Sequence, residues 1–372
     1  VIRLARTGGT FLPTPDQHQL LRASLSSDAA VVRVTFDAWK ARVDLDAAEH
    51  GSMRLLPLLY RNLTRAGIDD PMLPRLKGIY RQVWFRNQLF LEHGKRALRE
   101  LTAANIPAIV LKGAALVRAI YDEPALRPME DFDVLVPREH FARAVELLLA
   151  SGWSFHPPLA DPEPHFVFQH AVGFRREGGG ELDLHWSASG LPLDDEGTRA
   201  VWSASQEGTL APADQLLQIC AHAMLLNPHI PPIRWAADAF LLLARTPTFP
   251  WDALTRLARA RGLSLLMRRC LEYLRDGLDA AIPDYVMQTL ARQERLVERV
   301  MLAIRNGGGR LVYVQFAVEW MRHALVSPRR LVLLPRFLRS YCRVDTNAAL
   351  FRLATSRLAL NTRRITPARD VR

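Results

Sequence analysis

The sequence predicts an α+β protein, with a small mixed sheet set between two helical flanks. Apolar residues recur at helical spacing through the first hundred residues and again beyond about residue 191, whereas between 106 and 186 short apolar runs alternate with turns at strand spacing. The third observation is the turn Glu177-Gly178-Gly179-Gly180, short enough to join only antiparallel strands. These changes of pattern divide the chain into an N-terminal helical region (1–105), a core (106–190) and a C-terminal helical domain with a basic tail (191–372).

The N-terminal flank opens with a helix after Pro15-Asp16 that carries Leu20, Leu21 and Leu25. A short amphipathic face follows at Phe36, Trp39 and Val43, and Asp46 is placed to cap a helix bearing Met53, Leu56, Leu59 and Tyr60. Pro71 and Pro74 open a long helix to about Ala104. His50 and His93 lie in these helices without a partner at ligand spacing, and they read as packing or surface residues. Composition changes at Asn105-Ile106-Pro107, where the core begins.

In the core, Ile109, Val110 and Leu111 are halted by Lys112-Gly113 and followed by AALVRAIY, the pattern of a strand, a tight turn and a helix. Residues 129–136 form a second strand candidate in which Asp131 and Asp133 leave one face, while Phe132 and Val134 leave the other. Two side-by-side carboxylates repel unless a cation sits between them, and an oxygen-seeking ion such as Mg²⁺ suits that place. The bland reading, two acids facing water from a strand edge, is common for an isolated pair. Here the pair has apolar neighbours and a third acid downstream.

A helix over 138–151, ended by Gly152, leads to a strand at 153–155, a Pro- and acid-rich loop over 157–164 and strand material at 166–170 and 171–176. The hairpin then enters GELDLHW, where Asp183 is bracketed by Leu182 and Leu184, and Glu181 and His185 share its face. The implied sheet is small and mixed, with helices on one face. Further helices are expected at 213–226, 233–244, 251–261, 264–277 and 283–304, with a break at 306–309 and a tail cut into short pieces by Pro328 and Pro335.

A glycine turn opening a helix, a strand of alternating apolar and Asp residues and a third strand carboxylate together resemble the nucleotidyltransferase superfamily of DNA polymerase β and the aminoglycoside nucleotidyltransferases. The closer wording, LKGAAL, RPMEDFDVLVP and ELDLHW, is similar to a bacterial branch of uncharacterised nucleotidyltransferases met near surface-polysaccharide and lasso-peptide gene clusters. The resemblance implies a polymerase β-like core at 106–190. The implied reaction moves a nucleoside monophosphate from an NTP, expected to be ATP, to an acceptor hydroxyl or phosphate, with release of pyrophosphate. It also implies two Mg²⁺ ions held by Asp131, Asp133 and Asp183.

Lys112 and Gly113 would meet the phosphates where a helix N-terminus favours anions. Arg127 would bind phosphate through its planar fork, or else pair with Glu130 or Asp122. His185, His222, Arg234 and Asp238 are candidate substrate contacts, although Arg234 and Asp238 also have the spacing of an ordinary helical ion pair and His185 of a structural histidine. Ala114 follows Gly113 where the wider superfamily has serine, which removes a hydroxyl ligand for phosphate. The acceptor is left open among a sugar, a small molecule, a peptide and a protein. Two rivals follow: a nucleotide-binding scaffold that has lost turnover, and an RNA-directed transferase.

The formal charge of +11 resides in the last 72 residues, which hold fourteen arginines against three acids. A solvated helical face, a nucleic-acid surface and a peripheral membrane contact all suit such a tail, and charge alone assigns no nucleic-acid partner. Cys220, Cys270 and Cys342 have no metal-ligand spacing and read as buried, reduced thiols. With neither a signal peptide nor a run of about 20 apolar residues, the protein is expected to be cytoplasmic.

Overall fold

The computed structural model describes residues 12–159, 161–178, 180–188, 195–205, 208–225, 233–306, 328–342 and 346–349. Five strands, β1 (Ile109–Val110), β2 (Phe132–Leu135), β3 (Trp153–Phe155), β4 (Ala171–Arg176) and β5 (Gly180–His185), form one sheet in the order β1-β2-β5-β4-β3. Only β2 and β5 run parallel; the other three pairs are antiparallel, and the β4–β5 hairpin turns where the glycines predict. Mixed pairing is a consequence of the connections, since β2 reaches β5 through a long crossover and β4 reaches it through a tight turn.

The N-terminal flank comprises α1 (Pro15–Leu25), α2 (Ala29–Lys40), α3 (His50–Met53), α4 (Leu56–Arg65) and α5 (Leu73–Ala103). Thr14 and Gln17 close a capping box on α1, and Asp28 caps α2. The cap of α3 is Glu49 and not the expected Asp46, whose carboxylate is taken by Arg75. The 31-residue α5 crosses beneath the sheet at Gly94, where a Cβ would stand 2.1 Å from the Phe132 ring. It ends with Asn105 in the left-handed region, and the Ile106 N–H donates to the Leu101 carbonyl in the manner of a helix C-cap.

Within the core lie α6 (Lys112–Ala119), α7 (Phe141–Ala150) and α8 (Pro162–Phe168). Residues 166–168, expected as strand, belong to α8, because Pro162 suits the first helical turn and Phe166 packs edge-on against Phe141 and Trp186. The C-terminal flank contains α9 (Asp195–Ala204), α10 (Pro212–Leu225), α11 (Arg234–Ala244), α12 (Trp251–Ala260), α13 (Ser264–Leu278), α14 (Asp284–Gln293), α15 (Leu296–Asn306) and α16 (Pro328–Cys342). The single helix expected over 283–304 is two, because Glu294 leaves the helical region. Its carboxylate instead accepts from Arg268 and Arg299.

Pro335 does not cut α16, which runs through it. The expectations for 307–327 and for the tail beyond 349 lie outside the described residues. Cys220 and Cys270 are both buried, as expected. Among the described residues no helix is long and apolar enough to cross a membrane.

Two apolar clusters account for most of the burial. The first gathers Leu20, Phe36, Trp39 and Leu59 of the N-terminal flank with Leu217, Trp235, Met267 and Leu274 of the C-terminal one, so the two flanks share a core. The second lies beneath the sheet, where Phe132, Val134, Leu182 and Leu184 meet α5 and α7. On the opposite sheet face Ile109, Leu111 and Leu135 pack with Val201 and Leu210. This leaves the middle of that face to polar residues.

Candidate active site

The register of the parallel pair builds the site. Asp133 lies beside Asp183, with the apolar pairs Phe132–Leu182 and Val134–Leu184 on either side. Since side chains alternate along a strand, sending those apolar pairs into the core turns both carboxylates and His185 to the other face. Asp133 is 1% exposed, as is His185. The Lys112 Nζ donates to Asp133 Oδ1 at 2.5 Å, and His185 Nε2 lies 2.8 Å from the same oxygen. An ionised carboxylate only accepts, so Nε2 carries the proton. Asp133 Oδ2 and His185 Nδ1 are buried with no partner.

Lys112 is set between strand and helix with φ at +45°, in the left-handed region that glycine tolerates best. A lysine there carries backbone strain on the order of 1 kcal/mol. The side chain it delivers to Asp133 is what the turn gains.

Electrostatics follow from this crowding. Burial pushes Asp131 and Asp183 up to about 6, with the Asp133 charge adding to the shift in each. Burial acts the same way on Asp133, but Lys112 and His185 outweigh it and hold that carboxyl well below its usual range. Lys112 is raised because its three neighbouring aspartates overcome its own burial. Burial, with Lys112 nearby, lowers His185. His170, whose ring stands 5.5 Å from that of His185, and His222 on α10 are both lowered to about 3, chiefly by burial. Three neutral imidazoles therefore border the carboxylates.

Asp133, Asp183 and His185 each offer one donor atom, and these atoms lie within 4.8 Å of one another. Two carboxylates and an imidazole, with an unpartnered buried oxygen among them, are a donor set that fits a divalent cation. The sequence proposes Asp131 as a third carboxylate ligand. Asp131, half-buried just before β2, interacts with the other two aspartates but is outside this tight group.

Arg127 and Asp238 occupy other places than those expected. The Arg127 fork is engaged by Asp238 through two bonds of 2.9 Å, both side chains are 5% exposed, and Tyr121 donates to the same carboxylate at 2.7 Å. Arg127 thus pairs with neither Glu130 nor Asp122, and the Nε–Nη2 edge that would grip a phosphate is taken by Asp238. Arg234 does not pair with Asp238 either; it donates to the Pro128 carbonyl at 2.7 Å, and burial lowers it to about 10. Glu130 is bound by Arg54 and, at 3.3 Å, by His50.

Gly113 is also required by packing, apart from the expected approach of phosphate: a Cβ there would stand 2.6 Å from an Arg127 nitrogen and 3.1 Å from Met129. Sequence reasoning missed two residues. His170 comes near His185 only through β4–β5 pairing. Asn87, buried on α5, donates to the Pro124 and Arg127 carbonyls and accepts from the Met129 N–H, clamping the loop before β2. A lone amide on the inner side of a long helix was its only signal.

A small mixed sheet, with two face-sharing aspartates beside a strand-to-helix lysine, defines an α+β nucleotidyltransferase core. The chain belongs to a family described as uncharacterised nucleotidyltransferases, whose family model matches residues 47–302. No curated protein matches it.

Proposed function

We propose that the protein transfers a nucleoside monophosphate from an NTP, ATP first among them, to an acceptor hydroxyl or phosphate. The acceptor oxygen bonds to the α-phosphorus, the α–β bridging bond breaks, and pyrophosphate leaves with the electron pair. Asp133 and Asp183 hold divalent metal, proposed as two Mg²⁺ ions with Asp131 contributing at the edge of the site. Bound Mg²⁺ supplies neutralisation of the triphosphate and of charge developing at the α-phosphate. Asp183 orients the acceptor hydroxyl and receives its proton. Lys112 neutralises the β or γ phosphate, while His222 and Arg234 face the acceptor.

The observation that carries this reading is the Asp133–Asp183 register pair, with its buried and unpartnered oxygen. The test is incubation with each α-labelled NTP, Mg²⁺ and candidate acceptors. Pyrophosphate release by the wild type and its loss in Asp133→Asn and Asp183→Asn is the expected result; release that is undiminished in both variants sinks the metal assignment. One observation favours a second reading, nucleotide binding without turnover: Ala114 follows Gly113 and brings no hydroxyl ligand. Saturable nucleotide binding with no release from any NTP would select it.

A further inference from the structure

Asp133 offers one carboxylate oxygen to two partners at once. Lys112 Nζ at 2.5 Å and His185 Nε2 at 2.8 Å both meet Oδ1, while Oδ2 is buried and unmatched. A divalent ion bound by Asp133 and Asp183 would stand within a few ångströms of the ammonium, in a buried place where like charges are weakly screened. Lysine and metal thus compete for one carboxylate. The backbone points the same way: Lys112 keeps a left-handed φ that glycine would adopt more easily, so the position is held for its side chain.

Resting on the nucleotidyl-transfer reading above, we propose that Lys112 is a latch coupling metal to triphosphate. Its ammonium holds Asp133 against a lone ion, and leaves when a polyphosphate arrives to accept it, so that ion and polyphosphate bind cooperatively. Lys112 suits this exchange because its flexible stem carries a compact charge that can move between a carboxylate and a phosphate. The neighbouring Arg127, locked by Asp238, cannot make such a move.

The test uses the full chain, MnCl₂ as the ion, inorganic tripolyphosphate as a base-neutral partner, and the free-Mn²⁺ paramagnetic resonance signal as readout. The ion–tripolyphosphate complex in solution is accounted for. Lys112→Gly removes the ammonium while suiting the left-handed backbone, and Lys112→Met keeps the stem. Both are expected to bind Mn²⁺ alone about 10-fold more tightly than the wild type, within the 5- to 150-fold range typical of coupled sites. The factor by which tripolyphosphate strengthens Mn²⁺ binding should fall at least about 5-fold in both. Lone-ion affinity that is unchanged or weaker in the variants, or an enhancement equal to that of the wild type, overturns the latch and leaves the enzyme reading standing. If no protein binds Mn²⁺ even with tripolyphosphate, both fall together.

Discussion

Two buried ion pairs stand near each other in this protein, and they differ in one respect. Arg127 and Asp238 satisfy one another through a bidentate bond, with Tyr121 adding a third donor to the same carboxylate. Asp133 and Lys112 share a single oxygen, and the second oxygen of Asp133 has no partner. A saturated pair has nothing left to offer a ligand and its work is structural. An unsaturated one, held by the sheet with a second aspartate alongside, retains the capacity to bind.

Removing one member of each pair separates the two most clearly. Asp238→Ala strands a buried guanidinium and should lower unfolding stability by about 3–5 kcal/mol in urea titration. Asp133→Asn should cost less while abolishing turnover, because the amide oxygen still accepts from Lys112 and His185 and one of three crowded carboxylates is neutralised. Equal losses for the two would show that the pairs do not differ.

Next in size is Gly113→Ala, which forces a methyl into the Arg127 guanidinium and should cost about 1–3 kcal/mol. If the Asp238 lock is what stops Arg127 from yielding, the penalty shrinks in an Asp238→Ala background, and a double-mutant cycle returns a coupling of about 0.5–3 kcal/mol. Strict additivity would contradict the lock.

A pH series sharpens the unsaturated side. Asp131 and Asp183, raised to about 6 in the folded protein, bind more protons there than in the unfolded chain. Without metal, their contribution is favourable below about pH 4 and is lost as pH rises through 6. Ionised carboxylates are also what a cation binds, so Mg²⁺ should raise the melting temperature more at pH 7.5 than at pH 5. A shift independent of pH would count against carboxylate ligation.

The smallest effect belongs to Arg336 on α16, which bonds Asp161 and Glu163 at the start of α8. With 41% of its side chain exposed, Arg336→Ala should change stability by no more than about 1 kcal/mol, and by less at high salt. This pair shows that part of the tail's positive charge is answered within the chain.

Most of the secondary structure was legible because periodicity is local: the 31-residue α5, the strand at Asp133 and the glycine hairpin all announce themselves within a few residues. The misreadings fall where distant contacts overrule local signals. Phe166–Phe168 joins a helix because its rings pack on Phe141 and Phe337, and Glu294 breaks a helix while accepting from arginines on both sides. In the site, alternation alone indicates that Asp131 and Asp133 share a face and that Asp183 sits on a strand.

Which residue types line each strand face is readable from local pattern, since a period of two is written in consecutive letters, and the family motifs are equally local. Who pairs with whom is set by the packing of distant segments. Arg127 chose Asp238 over its near neighbours, His185 and Lys112 converged on one oxygen of Asp133, and Asp183 came beside Asp133 from fifty residues away. Those choices depend on strand order and on the burial of charge. A buried ion takes the partner the fold brings within reach, whatever the distance along the chain.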